Sequence, residues 1–335
     1  MTQTLDHQAE GQQEAGGKHP LERINPCRSM DDVHILARLA AEHDGKRKLA
    51  VASAAEAHVV EAVAEATKAD LVTPYFFGDA DSVQALCEQY GLNPSPEQVQ
   101  HASSKEEAGR QAVQAVADGR CDVLMKGQIQ TAMLMHEVFK KDYGLRGDKR
   151  LSHIIAFDSP HFDRLFLLSD VAINIDPDLN LKLDIVNNAV HVAHLLGIRK
   201  PYVAMLAAVE TVDPHQQTSL NDAIIAKMAD RDQIRGAYVD GPLALDNAID
   251  RRAAELKNIR SDVAGRADVL IVDNIDVGNV FYKSLIYFAR VPAAGVVAGM
   301  RVPMILTSRA DSSETKLNSI ALACAMAARE PYVAS

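Results

Sequence analysis

From residue 48 onward the chain alternates two kinds of segment, and this alternation restricts the fold more than any other feature of the sequence. Short apolar, β-branched runs bounded by polar or glycine-containing turns read as strands over 48–53, 71–77, 122–125, 153–157 and 171–175. The same pattern continues over 202–207, 236–239, 269–272, 295–297 and 304–307. Between them, a 3.6-residue period predicts helices over 55–68, 105–118, 179–196, 220–231, 279–289 and 313–328. The last is a clear instance: Leu317, Ile320, Ala321, Cys324 and Ala328 fall on one stripe. Leu183, Val186, Val190 and Ala193 form another. Strand and helix in turn imply an α/β fold, with mostly parallel strands covered by helices on both faces.

A length of 335 residues suggests about two domains. No Pro- or Ser-rich linker separates them, so the domains are expected to share interrupted segments. Residues 1–20 are rich in Gln, Glu and Gly and read as a disordered leader. They lack the basic start and apolar core of a secretory signal.

With 35 basic and 45 acidic residues, the net charge is −10. That argues against general nucleic-acid binding, which needs a surplus of cations, but leaves room for a local anion pocket. No apolar run approaches the roughly 20 residues needed to cross a bilayer. Cys27, Cys87, Cys121 and Cys324 show neither CxxC pairing nor shared spacing with histidines. Reduced, partly buried thiols in a cytoplasmic protein are expected, with no metal site. His191 and His194 lack the Glu pattern of a metalloprotease, and neither GxGxxG nor GxSxG occurs.

In α/β sheets, ligands bind where strands hand over to helices, and five such places carry polar residues. Lys126-Gly127 follows a strand, with Thr131 at the next helix, although the GxxxxGK[ST] phosphate loop is absent. Ser152 and His153 are adjacent, so on a strand they face opposite ways and cannot form a dyad. Ser152 is a candidate ligand-facing hydroxyl. Arg164 is a candidate phosphate fork; a plain structural role is the simpler reading for it and for His153. Asp240 and Asp246 flank a Gly-Pro turn. Gly278-Asn279, with Lys283 beyond, offers backbone N–H groups at a helix start. Thr307-Ser308-Arg309-Ala310-Asp311 is the most suggestive: hydroxyls, a guanidinium and helix N–H groups converge where the last strand meets the last helix.

Taken together, these blocks resemble the phosphate acetyl/butyryltransferase family. The resemblance rests on Lys126-Gly127 with Thr131, 151–153, 157–165, 207–212, 240–248, Gly278-Asn279, 282–289 and 307–312, in order, from about residue 45 to the C-terminus. Within the family, 282–289 looks most like the butyryl branch, while 227–231 and 301–306 also resemble the acetyl branch.

The resemblance implies a two-domain, three-layer α/β/α fold of the isopropylmalate-dehydrogenase-like type, with the active site in the interdomain cleft. It implies one discontinuous domain from 21–154 and 305–335 and a second from 155–304. It also implies a dimer or higher oligomer. The implied reaction is reversible transfer of a short acyl group, butyryl favoured, between CoA and inorganic phosphate. CoA and acyl phosphate are substrates, and no tightly bound cofactor is expected. Ser308 is implied as transition-state hydrogen-bond donor and Arg309 as phosphate or carbonyl clamp. In the acetyl branch a carboxylate one turn on is the proposed thiol base. The matching position here is Thr315, so Asp311 is the expected substitute. Other readings on this fold are a metal- and NAD-dependent dehydrogenase and a non-catalytic CoA-binding protein.

Overall fold

The computed structural model describes residues 25–327, so the expected leader and the extreme C-terminus lie outside the described residues. The first half of the chain gives α1 (Met30–Asp44), β1 (Arg47–Ala52), α2 (Ala57–Lys68), β2 (Val72–Gly78), α3 (Ala80–Gln89), β3 (Val99–His101) and α4 (Lys105–Ala117). It continues with β4 (Val123–Lys126), α5 (Thr131–Val138), β5 (Ser152–Ser159) and β6 (Phe162–Ser169). The second half gives α6 (Leu179–Leu195), β7 (Tyr202–Leu206), α7 (Gln217–Asp230), β8 (Tyr238–Leu243), α8 (Leu245–Ile249), α9 (Arg251–Leu256) and β9 (Val269–Ile271). The chain closes with α10 (Ile275–Ser284), β10 (Ala293–Ala298), β11 (Met304–Ile305) and α11 (Ser313–Ala327).

The eleven strands form one sheet, in the order β3-β2-β1-β4-β11-β10-β5-β6-β9-β7-β8. It is mixed rather than parallel, because β5 pairs antiparallel with both β6 and β10, and β10 with β11. The strands β1 to β4, β5 and β11 therefore run one way and β6 to β10 the other. The expected strand over 171–175 is irregular chain, and the strand precedes it as β6. That strand was hidden because Asp163 and Arg164 lie on its exposed first half, while only Leu165 to Ser169 are buried. At 171–175 the Asp170 carboxylate instead accepts the N–H groups of Ala172, Ile173 and Asn174, which curls the chain.

Strand alternation sorts the side chains onto two faces. One face is covered by a single continuous core, in which Val51, Met125, Ile154, Val203, Ile271, Val296 and Ile305 meet α1, α2, α6 and α11. The other face carries two separate cores. Ala50, Leu124, Val297 and Met304 pack against α4 and α5. Ile155, Leu168, Ala204 and Leu270 pack against α8 to α10. The gap between those two cores sits beside the β10–β11 seam.

Register places the strand ends at that gap. A single row of the ladder runs Val51, Met125, Ile305, Val296, Ile154, Ser169, Ile271, Met205. Strands β11, β6 and β9 end on this row and β4 and β7 one residue past it. The loops of both sets of strands thus leave the sheet at one level, in opposite senses.

The cysteines are buried, and burial pushes the Cys87 and Cys121 thiols up to about 11 and the Cys324 thiol up to about 12. Near neutral pH these three carry almost no thiolate, the species that reacts. The native protein is therefore expected to show no fast reaction with a disulfide reagent at pH 7 to 8. All four thiols should titrate once the chain is unfolded in denaturant, measured by absorbance of the released aryl thiolate.

Candidate active site

The gap is a pocket of about 300 Å³. Its walls come from the β4–α5 connection (Lys126, Ile129, Gln130, Thr131), from β5 (His153) and from the curled chain after β6 (Val171, Ala172). Asn279, Tyr282 and Lys283 of α10 and the 306–311 connection into α11 complete it. The alternation explains why these side chains meet. Met125, Ile154 and Ile305 belong to the continuous core, so Lys126, His153 and Leu306 turn to the split face.

The connection before α11 is held from several sides. The Asp311 carboxylate, 5% exposed, accepts the Ser308 N–H at 2.7 Å and the Tyr282 O–H at 3.1 Å through one oxygen, Oδ2. Lys316, inside α11 and 1% exposed, donates to the Asp311 and Ser308 carbonyl oxygens. The Ala310 N–H points to Ser308 Oγ at 3.3 Å, so the hydroxyl proton of Ser308 is free to be donated. Thr315 is occupied in starting the helix, its N–H on Ser312 Oγ at 3.1 Å.

Three cations surround this turn. Lys126, buried, donates to the Gly127 and Thr307 carbonyl oxygens at 3.3 and 3.4 Å. Burial, then repulsion from Arg309 and Lys316, pulls its pKa below the ordinary lysine value. Burial also lowers that of Lys316, with Glu56 and Asp311 opposing. An anion in the pocket relieves the mutual repulsion. The N-cap residue of α5, Gln130, makes no side-chain capping bond, and Gln130 and Thr131 both line the pocket at that helix start.

Of the residues singled out from sequence, Lys126, Thr131, Asn279, Lys283, Ser308, Arg309 and Asp311 come together here. The others stand apart. Ser152 turns the opposite way to His153, as alternation requires, and takes a bond from Asn188 at 2.9 Å. Arg164 donates to the Ile249 carbonyl at 2.6 Å and lies over the Phe162 and Phe166 rings. Asp240 lines a different cavity, past the start of β8, and Asp246 is exposed beside Lys257.

The two glycines answer to packing. A Cβ on Gly127 would lie 2.3 Å from the Ser53 carbonyl oxygen, and one on Gly278 would lie 2.2 Å from that of Asp170. Gly278 is also not at its helix start, since α10 begins at Ile275 behind an Asn274 cap. Sequence reasoning passed over His153, Tyr282 and Lys316 as site residues. A lysine four positions before Ile320, in line with the apolar stripe of the last helix, and a tyrosine three positions after Asn279 on one helix face, were the available signals.

Residues 95–324 match the model of the phosphate acetyl/butaryl transferase family. The chain belongs to that family. It is 43% identical over 281 residues to the phosphate butyryltransferase of Clostridium acetobutylicum, covering 84% of this chain and 93% of that one. It is 42% identical over 294 residues to the phosphate acetyltransferase of Thermotoga maritima, covering 87% of this chain and 99% of the relative. A branched-chain phosphotransacylase from Enterococcus faecalis superposes with a TM-score of 0.72 at 31% identity, over 84% of this chain and 99% of that structure. The family match spans every residue of the pocket.

The tight contact at Gly278 gives a direct test. Gly278→Ala is expected to push α10 off the chain leaving β6 and to destabilise the fold by about 1–3 kcal/mol, read from denaturant unfolding. Acyl-transfer activity should fall with it, because Asn279, Tyr282 and Lys283 ride on the same helix.

Proposed function

We propose that this pocket transfers a short acyl group, preferentially a four-carbon one, between CoA and inorganic phosphate. The observation that carries the reading is the pairing of two environments in one pocket. Lys126, Arg309 and Lys316 gather on the turn before α11, and Ile129, Val171, Ala172 and Leu306 supply an apolar wall. An acyl phosphate has the matching halves, a dianionic head and a short hydrocarbon tail.

In this reading Arg309 and Lys126 hold the phosphoryl oxygens, and Thr131 with the α5 N–H groups adds neutral donors. Asn279 and Lys283 border the same space. The Ser308 hydroxyl donates to the carbonyl oxygen as it becomes an oxyanion. Such a donor, fixed before reaction, is worth about 10²–10³ in rate. Asp311 and Lys316 keep Ser308 and Arg309 in place by fixing the turn that bears them. The acyl donor is already activated in either direction, as a thioester or an acyl phosphate, so the work is alignment and charge stabilisation. The homo-oligomer that the family resemblance implies is an expectation for sedimentation equilibrium to check.

The acetyl branch is the second reading. A pocket wall distinguishes one methylene by only about 1–3 kcal/mol, so turnover has to decide. Phosphate-dependent CoA release from acetyl-, propionyl-, butyryl- and isobutyryl-CoA, without added metal or nucleotide, should be fastest by kcat/KM for a four-carbon substrate. Highest kcat/KM for acetyl-CoA would reverse the assignment of chain length. Ser308→Ala and Arg309→Gln should each lower kcat on the best substrate by about 10²–10³. Wild-type rates in both variants would remove the site.

A further inference from the structure

One buried base on the pocket wall has no part in the roles above. His153 is 3% exposed. Its ring crosses β10 at Gly295, where a Cβ would lie 3.2 Å from Nε2. The absence of a side chain there lets Nε2 reach within 2.8 Å of the Leu306 carbonyl oxygen. A carbonyl only accepts, so Nε2 carries the proton, and in the neutral ring Nδ1 is the lone-pair acceptor. Nδ1 is buried and has no hydrogen-bond partner among the described residues. A buried acceptor left in that state is uncommon and calls for a reason, catalysis among them. The same ring lines the pocket with Ser308, Arg309 and Asp311.

We propose that His153, through Nδ1, takes the proton of the CoA thiol as sulfur attacks the acyl phosphate. The inference rests on the acyl-transfer reading and names the residue that moves its proton. The S–H bond breaks with its proton going to Nδ1, and the sulfur electron pair forms the S–C bond. The carbonyl electrons move onto oxygen beside Ser308 and return as the C–O bond to phosphate breaks. The departing phosphate takes the bond pair and then the proton from the imidazolium, leaving hydrogen phosphate and a neutral ring. No further reactant is required, and the reverse reaction uses the same steps in the opposite order.

The surroundings suit this exchange. Burial holds the ring below the ordinary histidine value, with Asp170, the Leu306 carbonyl and Asp311 pulling the other way. The ring is thus neutral and able to accept at neutral pH, while two carboxylates stabilise the imidazolium once formed. Lys126, Arg309, Tyr282 and Lys283 are the other titratable groups around this pocket. Asp311, the base expected from sequence, already receives the Ser308 N–H and the Tyr282 O–H on Oδ2. Its part in this scheme is to shape the turn.

The test follows thiolysis of butyryl phosphate by CoA across pH 5 to 9 in wild type, His153→Gln and Asp311→Asn. Glutamine keeps an amide donor toward the Leu306 carbonyl and removes the base. In wild type, activity should rise with pH along an acid limb below about 6.5 as the ring loses its proton. In His153→Gln, kcat should drop by about 10²–10⁴ with little change in KM for CoA, and the limb should vanish. Asp311→Asn should retain the limb. An unchanged kcat and limb in His153→Gln, or loss of the limb in Asp311→Asn alone, overturns the inference. Should His153→Gln fail to fold, the wild-type limb is compared with the titration of the ring by ¹⁵N NMR. Coincidence supports the assignment, and a ring titrating well away from the limb sinks it. Wild type that transfers no acyl group at all defeats the acyl-transfer reading itself, whereas an active wild type with an equally active His153→Gln defeats only this inference.

Discussion

A wide sheet has two faces to cover, and this one is covered without a break on one side only. On that side, residues from both sets of strands share one core with α1, α2, α6 and α11. On the other, the helices divide into α4 with α5 and α8 with α9 and α10. The continuous side joins the two sets of strands, so the opposite side can carry a crevice. Buried apolar area contributes about 25 cal/mol per Å², and the crevice forgoes part of it. The polar groups of the pocket are arranged where that area is missing.

Those groups arrive together because of backbone register, not because they are near in sequence. Lys126, His153, Leu306 and the chain after Ser169 all leave one row of the ladder. One step along each strand moves a side chain from the shared core to the crevice. The same parity that buries Met125, Ile154 and Ile305 therefore presents Lys126, His153 and Leu306. The cations held there are costly to desolvate. Carbonyl oxygens meet part of that cost at Lys126 and Lys316, and the acidic side chains Asp311 and Glu56 offset their charge.

Much of this architecture was legible in the residues. The alternation of apolar runs and helical stripes anticipated most strands and all six of the helices it named, and the hand-over before α11 does line the pocket. Three things were not legible. The antiparallel placement of β5 and β10 depends on pairing partners distant in sequence, which local periodicity does not encode. Gly127 and Gly278 looked like ligand-facing glycines, but the carbonyls that exclude a side chain, at Ser53 and Asp170, lie 74 and 108 positions upstream. The place of His153 on the pocket wall was hidden because it depends on a bond to Leu306, 153 positions along the chain. Arg164 was misleading in the opposite way, since two aromatic rings and the Ile249 carbonyl occupy it.

The buried cysteines bear on the chemistry of a family that moves acyl groups on and off sulfur. A thioester is open to attack by any accessible thiolate, and an oxidised pantetheine arm exchanges readily with one. An enzyme with a reactive cysteine near its substrate would capture acyl groups on itself or become capped by the cofactor's disulfide. Here Cys87, Cys121 and Cys324 are sealed in the interior and held protonated by their surroundings. None of these three is poised to compete for an acyl carbon with a sulfur that arrives on the substrate.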